Sequence, residues 1–288
     1  MSEIRTTCPY CGVGCGVIAQ VNEKGVNVRG DPDHPANFGR LCVKGAALAE
    51  TTGLSGRLLQ PTVDGAKVSW SQALETAGTR LRSIIDQHGP QAVAFYASGQ
   101  LLTEDYYAAN KLMKGFIGAA NIDTNSRLCM SSAVTGYKRA FGADVVPCSY
   151  EDIECSDLVV LVGSNAAWTH PVLYQRLVQA RQTNPLLKVV VIDPRRTATC
   201  DIADLHLPLL PGSDGGLFVG LLNRIATDGA ALGDFDGATE TLAIARDWDV
   251  ARVAQFCGLE VAEVTAFYDA FMHAPKAVTL YTMGINQS

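Results

Sequence analysis

What this 288-residue sequence lacks narrows it first. No apolar run reaches the ~18 residues that a bilayer-crossing helix requires, so no membrane span is expected. Neither sign of charge forms a block. The 23 Lys and Arg are mixed with 29 Asp and Glu for a net charge of -6, and the clustered basic footprint of a nucleic-acid binder is missing. The first cysteine, at position 8, leaves no room for the ~15–30 residues of a secretory signal. The expectation is a cytoplasmic protein, in which crowded thiols hold metal rather than pair as disulfides. There is no G-x-G-x-x-G, which argues against a plain nicotinamide-binding half. The five histidines form no spaced metal cluster, and neither an internal repeat nor a low-complexity segment occurs.

Cysteine is what the chain has in number. Of nine, three crowd into "TTCPYCGVGCGV" as Cys8, Cys11 and Cys15, and the next is Cys42 in "GRLCVKG". The resulting C-x2-C-x3-C-x26-C spacing puts three thiolates on one tight loop and a fourth at a distance, the common arrangement around an iron–sulfur cubane. Glycines at 12, 14 and 16 permit positive φ and let backbone N–H groups approach bridging sulfurs. A structural zinc is the competing reading. It prefers two paired C-x2–4-C knuckles, and here the second knuckle is missing. The ferredoxin run closed by Cys-Pro does not match either. Cys148, Cys155, Cys200 and Cys257 read as core or surface thiols.

Beyond about residue 56 the texture changes. Valine-rich runs near 91–98, 157–164, 188–193 and 277–284 read as strands. Helical patterns fall at about 104–118, 130–141, 172–183, 214–227 and 260–272. A further helix is predicted from a capping box of Ser69 and Gln72 to Gly89. Strands alternating with such helices predict an α/β fold with largely parallel sheets. The expected organisation is a small cluster domain over 1–56 followed by an α/β region over 57–288. In parallel sheets, ligands bind at loops after the carboxyl ends of strands. Three such loops stand out: Gly163-Ser164-Asn165, Asp193-Pro194-Arg195, and Gly212-Ser213-Asp214, the last opening a helix. Each alone is an ordinary turn or cap sequence; in series they suit a nucleotide-bearing cofactor.

Together these segments resemble the catalytic subunits of the molybdopterin-guanine-dinucleotide oxidoreductases, nearest to the prokaryotic assimilatory nitrate reductases. "CPYCGVGCGV" with "GRLCVKG" is similar to that family's N-terminal 4Fe-4S domain. "NSRLCMSSAVTGYK" is similar to the segment that supplies the protein ligand of molybdenum, which makes Cys129 that ligand. Read from spacing alone, Cys129 would be a small buried hydrophobe. By the same resemblance Lys44, otherwise a solvated surface lysine, lies between cluster and pterin and takes part in electron passage. Gln100, Asn125, Gly163, Ser164, Asn165, Thr169, Asp193, Arg195, Gly212, Asp214, Met283 and Gln287 would contact the cofactor, a molybdenum bis(molybdopterin guanine dinucleotide).

The implied activity is reduction of nitrate to nitrite by oxygen-atom transfer, with electrons passing through the cluster from a ferredoxin, a flavodoxin or a flavoprotein. Formate is the alternative substrate. Formate dehydrogenases of the family usually place histidine after the ligand, whereas Met130, Ser131 and Ser132 follow it here. A non-catalytic electron-transfer or scaffold relative is the third possibility. Arg127 and Arg139 are candidates for drawing in an anion, and His170 for orienting a neighbour. The family's catalytic chains are much longer than 288 residues, so the sequence reads as an N-terminal fragment.

Overall fold

The computed structural model describes residues 2–23, 25–228 and 236–286, with the backbone alone at 126 and 127. They form two compact units, one from Met1–Thr51 with Ala143–Ser288 and the other from Thr52–Gly142.

The first unit begins with an antiparallel sheet of β1 (Ser2–Thr7), β2 (Gly16–Asn22) and β3 (Gly25–Gly30). The Cys8–Cys15 loop closes the β1–β2 hairpin, whose last register pair is Thr7 with Gly16. The sequence reading did not anticipate these strands. "SEIRTT" is exposed along its length and carries no apolar alternation.

In the second unit, α1 (Trp70–His88) starts at the predicted capping box and stops at Gly89, with φ 81°. Strands β4 (Phe95–Ala97) and β5 (Ile122–Thr124) pair in parallel. Between them α2 (Thr103–Asn110) continues as a π-helical segment, Lys111–Ile117. The expected helix at 130–141 starts earlier, as α3 (Ser126–Phe141), and breaks at Met130, with φ -135° and ψ 18°. The buried core of this unit is small, centred on Val93, Met113 and Ala119. Trp70, Tyr96, Tyr107 and Phe116 stay exposed.

The first unit resumes with β6 (Leu158–Val162), α4 (Pro171–Thr183), β7 (Lys188–Ile192) and β8 (Leu205–Leu207). Helices α5 (Asp214–Thr227), α6 (Val250–Cys257) and α7 (Val261–His273) follow, with a further short helix at Ala238–Ala245 between the first two, and then β9 (Ala277–Tyr281). The four strands make one parallel sheet in the order β8-β7-β6-β9. Alternate side chains divide between its faces. Leu158, Val160, Val162, Val190 and Ile192 meet α5, α6 and α7 through Leu217, Val253 and Phe267. Val159, Leu161, Val189 and Val191 meet α4 through Leu177 and Ala180. This two-sided burial is why the strands read as continuous apolar runs. Each such side chain contributes about 1.5–3 kcal/mol on leaving water.

Gly220 lets α5 approach its neighbours closely: a Cβ there would lie 2.3 Å from Val253 Cγ2 and 2.6 Å from Tyr268 Oη. Helix propensity alone favours Gly220→Ala by about 1 kcal/mol, but overpacking costs about 1–3 kcal/mol. The Tyr268 hydroxyl is also held by its bond to Leu217 O at 2.6 Å, so it cannot simply swing aside. Gly220→Ala is therefore expected to lower stability in urea or thermal unfolding; a variant more stable than the parent would contradict this packing.

Candidate functional site

The four cysteines of the spaced motif come together. Cys8, Cys11, Cys15 and Cys42 line one cavity with Tyr10, Val13, Leu41, Gly45, Pro171 and Val172. Local hydrogen bonds set the loop. Cys8 N–H donates to Cys15 O at 2.9 Å, and Gly14, with φ 67°, turns the chain. Cys42 arrives on a second loop that is tied to the first by Asn37, which is fully buried. The Asn37 side chain accepts from Gly16 N–H at 2.8 Å and donates to Gly16 O at 3.0 Å and Arg40 O at 2.8 Å. Two glycines make this closeness possible: a Cβ on Gly30 would sit 2.1 Å from Gly39 O, and one on Gly16 would sit 2.3 Å from His34.

The donor set fits an iron–sulfur cluster. No imidazole or carboxylate lines the cavity, and the remaining walls are largely apolar. Among the described residues, no three Cys, His, Asp or Glu side chains converge as a single metal ion requires. With Zn–S bonds of about 2.3 Å, one zinc would draw its thiolates almost into contact. None of the nine cysteines forms a disulfide. Burial first, then the neighbouring Cys11, Cys8 and Cys42 thiolates, push the Cys15 thiol up to about 11. Four ionised sulfurs in this space need a cationic core. A larger cavity of about 470 Å³, lined by Phe38, Arg40, Glu154 and Arg176, contains no thiol, and its size does not make it the metal site.

Lys44 stands at the rim, between Cys42 and Gly45, with its Nζ 6.0 Å from the centroid of the Tyr10 ring. Burial, and secondarily the Lys44 charge, hold the His170 imidazole below its ordinary value. His170 Nδ1 lies 2.9 Å from Thr169 Oγ1 and closes the turn before α4.

The loops singled out at 163–165, 193–195 and 212–214, with Met283, lie along one edge of the parallel sheet. Each follows the carboxyl end of β6, β7, β8 or β9. Gly163, with φ 53°, and Gly284 interlock, since a Cβ on either would lie within 3 Å of the other's backbone. Thr282 Oγ1 donates to Gly163 O at 2.7 Å. Asn165 Oδ1 accepts from Thr199 Oγ1 at 2.9 Å. Asp193 accepts from Arg195 N–H at 2.8 Å, while the Arg195 side chain is exposed. Asp214 opens α5 and is buried, and burial first, then the charge of Asp193, hold its carboxyl above the usual range. The structure therefore places two buried carboxylates within electrostatic reach of each other. A pair of acids at a helix start disfavours a phosphate and suits a group rich in N–H or O–H donors.

In the second unit, Asn125 Oδ1 accepts from Gly99 N–H at 2.5 Å, which brings Asn125 beside Gln100 where the β4 and β5 ends emerge. Cys129 lies four residues on, in the last position before the break in α3, and its N–H donates to Asn125 O at 3.1 Å. Gln287 and the Arg127 side chain lie outside the described residues; Arg139 is exposed near the end of α3. Sequence reasoning missed Asn37 and Tyr150. The Tyr150 hydroxyl donates to Gly12 O and Val13 O, both at 3.1 Å, inside the cysteine loop. Asn37 had a faint signal, an amide beside the fourth cysteine; Tyr150, more than a hundred positions away, had none.

Because the Asp214 carboxyl titrates higher in the folded chain than in the unfolded one, its charge costs stability that is absent at acid pH. Stability from this group therefore falls as pH rises through the elevated value. Asp214→Asn is expected to unfold at a higher temperature than the parent at pH 7, with the gap closing below the ordinary value of 3.8. A gap independent of pH would contradict the assignment.

Comparison with known proteins places these features in order. Residues 57–288 match the family model of molybdopterin oxidoreductase, and residues 1–52 match the molybdopterin oxidoreductase Fe4S4 domain. A nitrate reductase of Klebsiella oxytoca is 76% identical over the whole chain, which covers 33% of that relative. A nitrate reductase of Shewanella frigidimarina is 43% identical over the whole chain, which covers 32% of it. The chain thus spans about a third of the length of these curated relatives. A solved structure of acetylene hydratase from Pelobacter acetylenicus superposes with a TM-score of 0.85 over 98% of this chain and 40% of that one. At 21% identity that likeness speaks for the fold alone.

Proposed function

Since the chain belongs to the molybdopterin oxidoreductase family, we propose that the protein carrying it reduces nitrate to nitrite, in nitrate assimilation in the cytoplasm. The observation that carries this reading is the 76% identity to a nitrate reductase across the full chain. In the proposal, residues 1–56 form the cluster domain and 57–288 the cofactor-binding region. The exposed apolar side chains of the second unit, Trp70 and Phe116 among them, support a longer protein whose further residues pack there.

In this reading Cys8, Cys11, Cys15 and Cys42 hold the 4Fe-4S cluster and Cys129 ligates molybdenum. When bound, molybdenum supplies two-electron oxygen-atom chemistry and the cluster supplies electrons singly. The chain's own groups position and neutralise. Lys44 sets a positive charge at the rim of the cysteine cavity, where it offsets the added negative charge of reduction. Asp193 and Asp214 present carboxylates to the donor-rich edge of a guanine, favouring the bis(molybdopterin guanine dinucleotide) form. The tight Gly163–Gly284 crossing lets the backbone of 163–165 approach a ligand closely. By the resemblance to the family, Gln100, Asn125, Thr169, Arg195, Gly212, Met283 and Gln287 would also contact the cofactor. The electron donor is a ferredoxin, a flavodoxin or a flavoprotein.

The test is Cys129→Ser in the full-length protein, assayed with reduced viologen and nitrate. The expected result is a loss of about a hundredfold or more in turnover with the cluster signal retained. Undiminished turnover removes Cys129 from the reaction, and turnover with formate in place of nitrate overturns the substrate.

A further inference from the structure

One buried cation is left without a role by the site above. Arg176, on α4, is 1% exposed. Its Nε donates to Glu154 at 2.7 Å, and its Nη1 donates to the carbonyls of Pro35 at 2.8 Å and Ala36 at 3.2 Å. The guanidinium lies 5.2 Å from the ring centroid of Phe38 and 5.5 Å from that of Tyr150. Its Nη2, also buried, finds no partner among the described residues. Burying an ion and leaving one of its N–H groups unbonded costs stability that an apolar side chain of similar size would not. Packing alone therefore does not account for an arginine here.

Both sides of the guanidinium lead to cysteines. Pro35 and Ala36 precede Asn37, whose side chain ties Gly16, next to Cys15, to Arg40, two residues before Cys42. On the other side Tyr150 holds the carbonyls of Gly12 and Val13, between Cys11 and Cys15. The counter-ion cancels the field of the guanidinium only in part. The Glu154 side chain is 38% exposed and water screens it, whereas the guanidinium side chain is 1% exposed.

We propose that Arg176 is a positioning residue for the iron–sulfur cluster: it locks together the two loops that carry the four cysteines, and its buried charge biases the cluster toward the reduced, more negative state. The proposal rests on the reading that these cysteines hold the cluster. Charge and hydrogen bonding around a cluster set its potential, so the effect is directly measurable.

The experiment is an EPR-monitored redox titration of the full-length protein, unaltered and as Arg176→Gln, Arg176→Lys and Glu154→Gln, with iron counted in each. In Arg176→Gln the ratio of reduced to oxidised cluster at a fixed potential is expected to fall about tenfold, equivalent to about 59 mV for a one-electron couple. Arg176→Lys keeps the charge and stays closer to the parent. Glu154→Gln shifts the ratio in the opposite direction, a reversal that a merely structural role does not produce. Should Arg176→Gln fail to fold, Glu154→Gln decides, its carboxylate being partly in water: a higher midpoint supports the proposal and an unchanged one overturns it. A cluster present in all variants with an unmoved midpoint sinks the proposal alone. Absence of any cluster from the unaltered protein sinks the reading of the cysteines, and this proposal with it.

Discussion

Four thiols gathered around one apolar cavity are a charge problem before they are anything else. Each must ionise to bind metal, yet burial and mutual repulsion both oppose ionisation, as the elevated Cys15 thiol records. In the proposed reading a multiply charged core relieves that opposition, and the architecture around the cavity holds the sulfur-bearing loops in place for it. Asn37, Tyr150 and the paired glycines at 30 and 39 fix backbone, not sulfur. They bring the loops close while leaving the cavity face of the thiols to the ligand.

The parallel sheet is built on the same principle with different materials. Its strands are buried on both faces, so their ends cannot shift independently, and the loops that follow them are held along a single edge. On that rigid edge a small set of close contacts suffices, Gly163 against Gly284 and Asn165 against Thr199, with the Asp193 carboxylate within electrostatic reach of Asp214. The chemistry offered is mostly acceptor oxygen and exposed backbone, the inverse of a phosphate cradle.

Much of this was legible in the sequence, for identifiable reasons. The strands at 158–162 and 188–192 are continuous apolar runs, and α1 is bracketed by a capping box and a glycine, all local signals. The cysteine motif was readable because ligand spacing is itself local within the first loop. The N-terminal sheet was not, because its outer strand is exposed and polar and gains its order from register with β2. Tyr150 and Arg176 were invisible for a related cause: each acts on residues more than a hundred positions away, and only the fold makes them neighbours. The break after Cys129 was missed as well, since nothing in "LCMSSA" departs from a helix-tolerant composition.

The wall that Pro171 and Val172 give to the cysteine cavity has a consequence for how the protein is made. The sulfur-bearing loops leave the ribosome first, and at about 5–20 residues per second the chain needs on the order of ten seconds more to deliver that wall. Throughout the interval the thiols are open on one side, to iron and sulfide and equally to oxidants. Insertion of iron and sulfide before the wall arrives needs no opening motion, whereas insertion afterwards has to displace the start of a packed helix. Timing of synthesis, rather than affinity alone, therefore sets the easiest moment for maturation.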